Sequence, residues 1–149
     1  MVTTISRLFS CLVIAVSLIA CNAPPSGSPP GGSSLYDDIG GMPVIEQIVD
    51  HFIQQIGRDQ AILKHFADTD IERFRRQLIA QLCVESGGPC EYTGDSMTDV
   101  HTGMRITEGE FNRTVDLLVA AMTEAGLSTP QQNRLLRRLA PMRGDIIYR

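Results

Sequence analysis

Tryptophan is absent from this chain and aromatic residues make up 5% of it, so no stacking platform for nucleotide bases is on offer. Positive charge is also in short supply, with a formal net charge of -4. A general nucleic-acid binder neutralises phosphates with clustered Lys and Arg, so nucleic acid is not an expected partner. Arg73, Arg75 and Arg76, like Arg134, Arg137 and Arg138, fall on helical patterns and read as solvated faces. Sustained strand-type alternation is missing throughout, which leaves an all-α class. The 149 residues suffice for one domain around one core.

Long apolar runs are absent but for residues 8–20, which follow Arg7. That length suits the core of an export signal and is too short for a spanning helix with ordinary flanks. A plain signal peptide or an anchor helix would read similarly, but the run ends Leu18-Ile19-Ala20-Cys21, which resembles the bacterial lipoprotein box. The resemblance implies cleavage before Cys21 and lipidation of its sulfur. Asn22 stands where aspartate commonly retains lipoproteins at the inner membrane, so the expected address is the outer membrane, facing the periplasm. Several acyl chains give lasting attachment at about 0.8 kcal/mol per buried methylene. Residues 23–34 form a Pro/Gly/Ser tether with nothing to bury. The expected domains are therefore a signal at 1–20, a lipidated tether at 21–34 and a helical domain at 35–149.

Within that domain, Ser34 caps a short helix that Gly40-Gly41 ends. Pro43 opens the next, with Ile45, Ile48, Val49, Phe52 and Ile56 at helical spacing and Gly57 as its terminator. A short piece covers residues 60–66. Thr69 and Glu72 make a capping box ahead of a stripe of Ile71, Phe74, Leu78 and Leu82, stopped by Gly87-Gly88-Pro89. Thr107 and Glu110 form another box before Phe111, Val115, Leu118 and Met122, with Gly126 closing. Thr129 and Pro130 open the last helix, which carries Leu135, Leu136 and Leu139. Residues 91–100 lack a stripe and read as mostly loop.

The stretch 87–111 organises the rest. It holds His101 among Met97, Val100, Met104 and Ile106. A neutral imidazole on an apolar wall suits a metal or a haem iron. The plainer alternative is a core histidine satisfied by a backbone carbonyl. His51 falls off its helix's stripe and reads as exposed. His65, beside Phe66, could approach a cofactor's edge.

The run SLYDDIGG around Tyr36, then Phe66, GGP at Gly87, YTG at Tyr92, Met97-x-x-x-His101 and Ile106-Thr107 resemble group I truncated haemoglobin, in order and at its separations. The resemblance covers nearly the whole domain. It implies a two-on-two helical fold enclosing haem b, with His101 as the proximal iron ligand. It also implies that Phe66 packs on the porphyrin, with Tyr92, Met97, Ile106 and Phe111 in the pocket wall.

One departure stands out. Where the family commonly places a tyrosine that donates to bound dioxygen, beside Phe52, this chain has Ile53. Positions that often carry glutamine fall on Phe74 and Leu78. Gln77 and Gln81 are turned off the stripe by helical phase. The resemblance therefore implies an unusually apolar distal side, the alternative being that another polar side chain, such as Gln77, swings in. Losing a donor removes roughly 0.5–1.5 kcal/mol from a polar bound ligand, so dioxygen should leave faster than from relatives with the tyrosine.

Cys83 and Cys90, which flank the Gly87-Gly88-Pro89 turn, read as a disulfide in an oxidising compartment. A redox-active pair is the alternative, while zinc would need further ligands at suitable spacing. The expected function is reversible binding of dioxygen, NO or CO at a pentacoordinate haem iron. NO dioxygenation or peroxide reduction at the same iron is the alternative, the former needing a reductase the chain does not encode. Peroxide cleavage benefits from a distal acid–base residue, and none is evident, so binding is expected over catalysis. A haem-free helical interaction lipoprotein is the remaining reading.

Overall fold

A computed structural model of the chain describes residues 33–149. The lipoprotein box, Cys21 and the tether up to residue 32 lie outside the described residues. Every regular element among those described is helical. In chain order these are α1 Leu35–Asp38, α2 Gly41–Arg58, α3 Gln60–Leu63, α4 Ile71–Ser86, α5 Met97–His101, α6 Glu108–Glu124, α7 Thr129–Leu139 and α8 Arg143–Ile146. Short 3-10 turns, Lys64–Phe66 and Ala140–Met142, continue α3 and α7.

The helix ends follow local chemistry, with some shifts from expectation. Ser34 caps α1, its hydroxyl accepting from the Asp37 amide at 3.1 Å. Gly40 turns the chain at φ +102°, and a Cβ there would lie 2.6 Å from Val44 Cγ2; only glycine fits. Gly57 does not end α2. The helix runs on to Arg58, because Asp59 in extended conformation supplies the break and caps α3 through the amides of Ala61 and Ile62. Helix α4 is capped by Asp70 rather than Thr69, with the Asp70 carboxylate accepting from the Arg73 amide at 2.9 Å. That leaves Ile71 at the first helical position and 41% exposed, outside the buried stripe. The Thr107–Glu110 capping box opens α6 as expected. Thr129 and Pro130 open α7 as expected, behind Ser128 at the N-cap. Part of the expected loop 91–100 is helical, since Ser96 caps α5 by accepting from the Asp99 amide.

The four long helices make a two-on-two arrangement in which α2 crosses α6 and meets α4, and α4 meets α7. Ile45, Ile48 and Val49 of α2 bury against Leu82, Met122 and Leu135. One turn on, Phe52 and Ile56 join Ile62, Leu117 and Ala121 in a second cluster. Each such side chain contributes about 1.5–3 kcal/mol on burial. A two-pronged ion pair, Arg75 to Asp50 at 2.6 and 3.0 Å, pins α4 to α2. The guanidinium holds the Asp50 carboxyl below the usual carboxylate range.

Cys83, at the end of α4, is joined to Cys90 by a disulfide. Between them Gly88 lies against Tyr36 and the Cys83 sulfur, so closely that a Cβ there would meet Tyr36 Cδ2 at 2.4 Å. The Tyr36 hydroxyl accepts from the Met42 amide at 3.0 Å. The chain therefore leaves α4 along a fixed path toward α5.

Candidate functional site

His101 ends the five-residue helix α5. Its Nδ1 lies 2.7 Å from the Met97 carbonyl oxygen, one turn back. A carbonyl only accepts, so Nδ1 carries the proton and Nε2 keeps its lone pair. The backbone partner of a structural histidine is present, yet it satisfies one ring nitrogen and leaves the other available. His101 lies on the wall of a cavity of about 860 Å³, within the roughly 300–1,000 Å³ typical of cofactor and ligand sites.

Most of the residues expected at this site meet here. Phe52, Phe66, Phe74 and Leu78 line the cavity, as do Tyr92, Met97 and Phe111. The rings of Phe66 and Phe74 meet edge to face, 5.1 Å apart at 70°. Val115, Leu118, Leu136 and Leu139 extend the apolar lining. Val100 is on the wall but 47% exposed.

Ile53 and Ile106 are placed elsewhere. Phe52 takes the cavity-facing phase of α2, and its neighbour Ile53 is turned about 100° away. Ile53 instead lines a second recess of about 550 Å³ with Ile56, Leu63 and Ile71, which shares Phe66 and Phe74 with the cavity. Ile106 is buried at 9% exposure, but its backbone is tied to the C-terminal segment, its carbonyl accepting from the Tyr148 amide at 2.9 Å. Neither Ile106 nor Met104 reaches the cavity wall.

Gln77 and Gln81, expected off the apolar stripe, are on the cavity wall. Both line the cavity, because its α4 wall spans Phe74, Gln77, Leu78, Gln81 and Leu82, the full i, i+3, i+4, i+7, i+8 breadth of a helix face. The Gln81 amide donates to Met142 Sδ at 3.1 Å and Met97 Sδ at 3.5 Å. Gln77 and Tyr92 crowd Gly94, where a Cβ would lie 2.7 Å from Gln77 Oε1 and 2.4 Å from the Tyr92 hydroxyl. That hydroxyl donates to the Asp95 carbonyl at 2.8 Å. Burial, then the nearby Asp95 carboxylate, pushes the Tyr92 pKa up, so it stays protonated.

The cavity's polar lining includes Asp68, Asp70, Arg73, Asp95 and Arg143. Sequence reasoning passed over the two arginines, which look like ordinary solvated helix residues until the fold brings them to one cavity.

The other histidines lie off this wall. His65 Nε2 is 3.1 Å from Glu110 Oε1, which Lys64 Nζ also approaches at 2.6 Å. His51 is partly buried rather than exposed, with Nδ1 3.2 Å from Glu124 Oε2.

Residues 34–148 match the family model described as bacterial-like globin. The chain belongs to the bacterial-like globin family. Among relatives of this globin, the group 1 truncated hemoglobin GlbN of Nostoc sp. (strain MUN 8820) is 36% identical over 77% of this chain and 98% of its own length. The GlbN of Mycolicibacterium paratuberculosis is 31% identical over 76% of this chain and 84% of its own. Among solved structures, the truncated hemoglobin of Tetrahymena pyriformis in its Fe(III) form superposes with a TM-score of 0.75 at 25% identity, covering 78% of this chain and all of that one.

Family membership implies a haem, and the residues present fit one. A lone-pair nitrogen on the wall suits an iron. The apolar interior suits a flat macrocycle.

Proposed function

We propose that this globin holds haem b through Nε2 of His101 and reversibly binds a diatomic gas, dioxygen, NO or CO, at a pentacoordinate iron. One observation carries the reading: the bond from His101 Nδ1 to the Met97 carbonyl, which fixes the tautomer and leaves Nε2 as a ligand on the cavity wall. When bound, the haem supplies the iron at which the gas is held. The protein's part is to orient the imidazole, keep water out with Phe52, Phe74 and Leu78, and offer an amide donor through Gln77, the Gln81 amide being taken up by Met97 and Met142. Haem b is favoured over a covalently attached haem because Cys83 and Cys90 bond to each other and no Cys-x-x-Cys-His run precedes His101.

Reversible binding is favoured over peroxide chemistry. Besides His101 and the protonated Tyr92, the ionisable residues of the lining are Asp68, Asp70, Arg73, Asp95 and Arg143, and all but Arg143 are exposed. None is placed as an enclosed acid–base group. NO dioxygenation would draw electrons from a reductase outside this chain.

The site of action belongs to the same proposal: anchorage by a lipidated Cys21 at the outer membrane, facing the periplasm. The apolar run ending before Cys21 supports it, and so does the Cys83–Cys90 disulfide, which suits an oxidising compartment. Cys21→Ala should move the protein from the membrane to the soluble fraction; unchanged partitioning would overturn the anchorage. For the haem, purified protein should show a Soret band that shifts between ferric, ferrous and carbonmonoxy forms. A preparation that stays colourless after hemin is added overturns the proposal and leaves a haem-free interaction protein in its place.

A further inference from the structure

The short helix that carries His101 has α8 as its main helical neighbour, and the two are joined at both ends. At their N-terminal ends, the Gln81 amide donates to the sulfurs of Met97, which opens α5, and Met142, which precedes α8. Past their C-terminal ends the two main chains meet directly. The Tyr148 amide donates to the Ile106 carbonyl at 2.9 Å, and the Arg105 amide to the Arg149 carbonyl at 2.8 Å. The Met104 amide, one residue before this clamp, donates to the His101 carbonyl at 3.1 Å. Arg149 Nε donates back to the Gly144 carbonyl at 3.1 Å, which ties the clamp to α8 as well. Arg105 and Tyr148 are the non-glycine residues with positive φ among those described, at +51° and +56°. Residues with side chains disfavour that conformation, and it persists where the surroundings over-determine it. The two strained residues are the two whose amides make the clamp. The Tyr148 ring is 67% exposed, so it is the backbone and not the ring that is held.

We infer that this clamp seats His101, with Tyr148 as a positioning residue that acts through its amide. The inference rests on the haem reading. A helix as short as α5 cannot hold its own shape or direction unaided. Two main-chain bonds beyond its end fix the turn after His101 against α8, whose Ile146 lines the same cavity. The imidazole is thereby kept in one place on the cavity wall. Loosening the clamp leaves the bond from Nδ1 to the Met97 carbonyl intact, since that bond lies within α5, but lets the whole helix rock. Retention of the cofactor is thus set partly from outside the cavity, by a backbone contact that no side-chain pattern reveals.

The test compares two substitutions at Tyr148. Tyr148→Pro removes the amide donor and cannot take a positive φ, while Ile147, already extended at φ -75° and ψ 139°, accepts a following proline. Tyr148→Gly keeps the donor and adopts the conformation freely. In the apoprotein, amide hydrogen exchange at residues 98–106 should quicken in Tyr148→Pro and stay near wild type in Tyr148→Gly. In the hemin-loaded protein, transfer of hemin to excess apomyoglobin should be about three- to tenfold faster for Tyr148→Pro, the scale of one main-chain hydrogen bond. The iron–histidine stretching band of the ferrous form should shift and broaden in the same variant. Tyr148→Gly should match wild type in both. A lower thermal midpoint with an unmoved iron–histidine band would overturn the inference, since the clamp would then only brace the fold. Equal effects from both substitutions would also overturn it by assigning them to the lost ring, and so would no effect from either. A wild-type chain that takes up no hemin overturns the haem reading, and exchange in the apoprotein keeps that failure distinct from a failure of the clamp.

Discussion

Nδ1 of His101 and the Met97 carbonyl oxygen stand 2.7 Å apart inside a helix of five residues. The acceptor is main chain, so no side-chain replacement removes it, and it holds the ring's proton on Nδ1. His101→Ala should therefore lose the Soret band of the holoprotein. His101→Gly, given free imidazole, should regain it, because the small molecule fills the vacated slot and brings its own nitrogen. An unchanged spectrum in His101→Ala would sink the assignment.

Leu78 lines the cavity and Ile53 the neighbouring recess, with Phe66 and Phe74 common to both walls, which separates two substitutions that the sequence alone treats as equivalent. Leu78→Gln adds an amide donor to the cavity and should slow dioxygen release several-fold, in keeping with a net gain of about 0.5–1.5 kcal/mol. Ile53→Tyr adds its hydroxyl to the outer recess and should change release by less than twofold. Stopped-flow dissociation checks both. A larger effect from Ile53→Tyr would mean that the recess and the cavity act as one space.

Much of this was legible in the sequence because it rests on short-range rules. The Thr107–Glu110 box, the Gly87 stop and the burial of Ile45, Ile48, Phe52 and Leu82 all follow from spacing and cap chemistry. The errors arose where two residues compete for one local role. Thr69 and Asp70 both cap well, and the carboxylate won. Ile53 and Gln77 differ from the simplest expectation for another reason. Helical phase is relative to a neighbour, and the breadth of the α4 face toward the cavity is set by α5, α7 and α8, which no single-helix pattern contains. The arginines of the lining were hidden for the same reason.

The disulfide closes a short ring, Cys83 to Cys90, with a sequence separation of 7. Its removal by Cys90→Ala should cost about 2.5 kcal/mol in the chain-entropy estimate, lowering the thermal midpoint by roughly 10 °C for a domain of this size. A thiol reductant should reproduce the drop in wild type and do nothing further to the variant. Midpoints that coincide with and without reductant would show that the bond contributes nothing.

Glu110 ties the start of α6 to the turn before α4. The Lys64 ammonium, then the Thr107 amide and hydroxyl, hold its carboxyl far below the usual carboxylate range, with His65 adding to this. Because the folded pKa is depressed, the stabilisation is present above the ordinary carboxylate range, near pH 4, and fades as acid takes the pH down through it. Denaturant unfolding of wild type and Glu110→Gln should show the wild type more stable at pH 7 and the gap narrowing below pH 4. A gap that stays constant from pH 7 to pH 3 would contradict this.

Helix α4 supplies one side of the cavity and α5 carries the histidine that faces it, and the covalent loop at Cys83–Cys90 shortens the free chain between them to the few residues from Glu91 to Ser96. An oxidised polypeptide without its porphyrin is thereby discouraged from collapsing its slot or splaying it open. Capture of the proposed haem then resembles insertion into a standing frame, and whether the Cys83–Cys90 bond is closed becomes a factor in how quickly the pigment assembles.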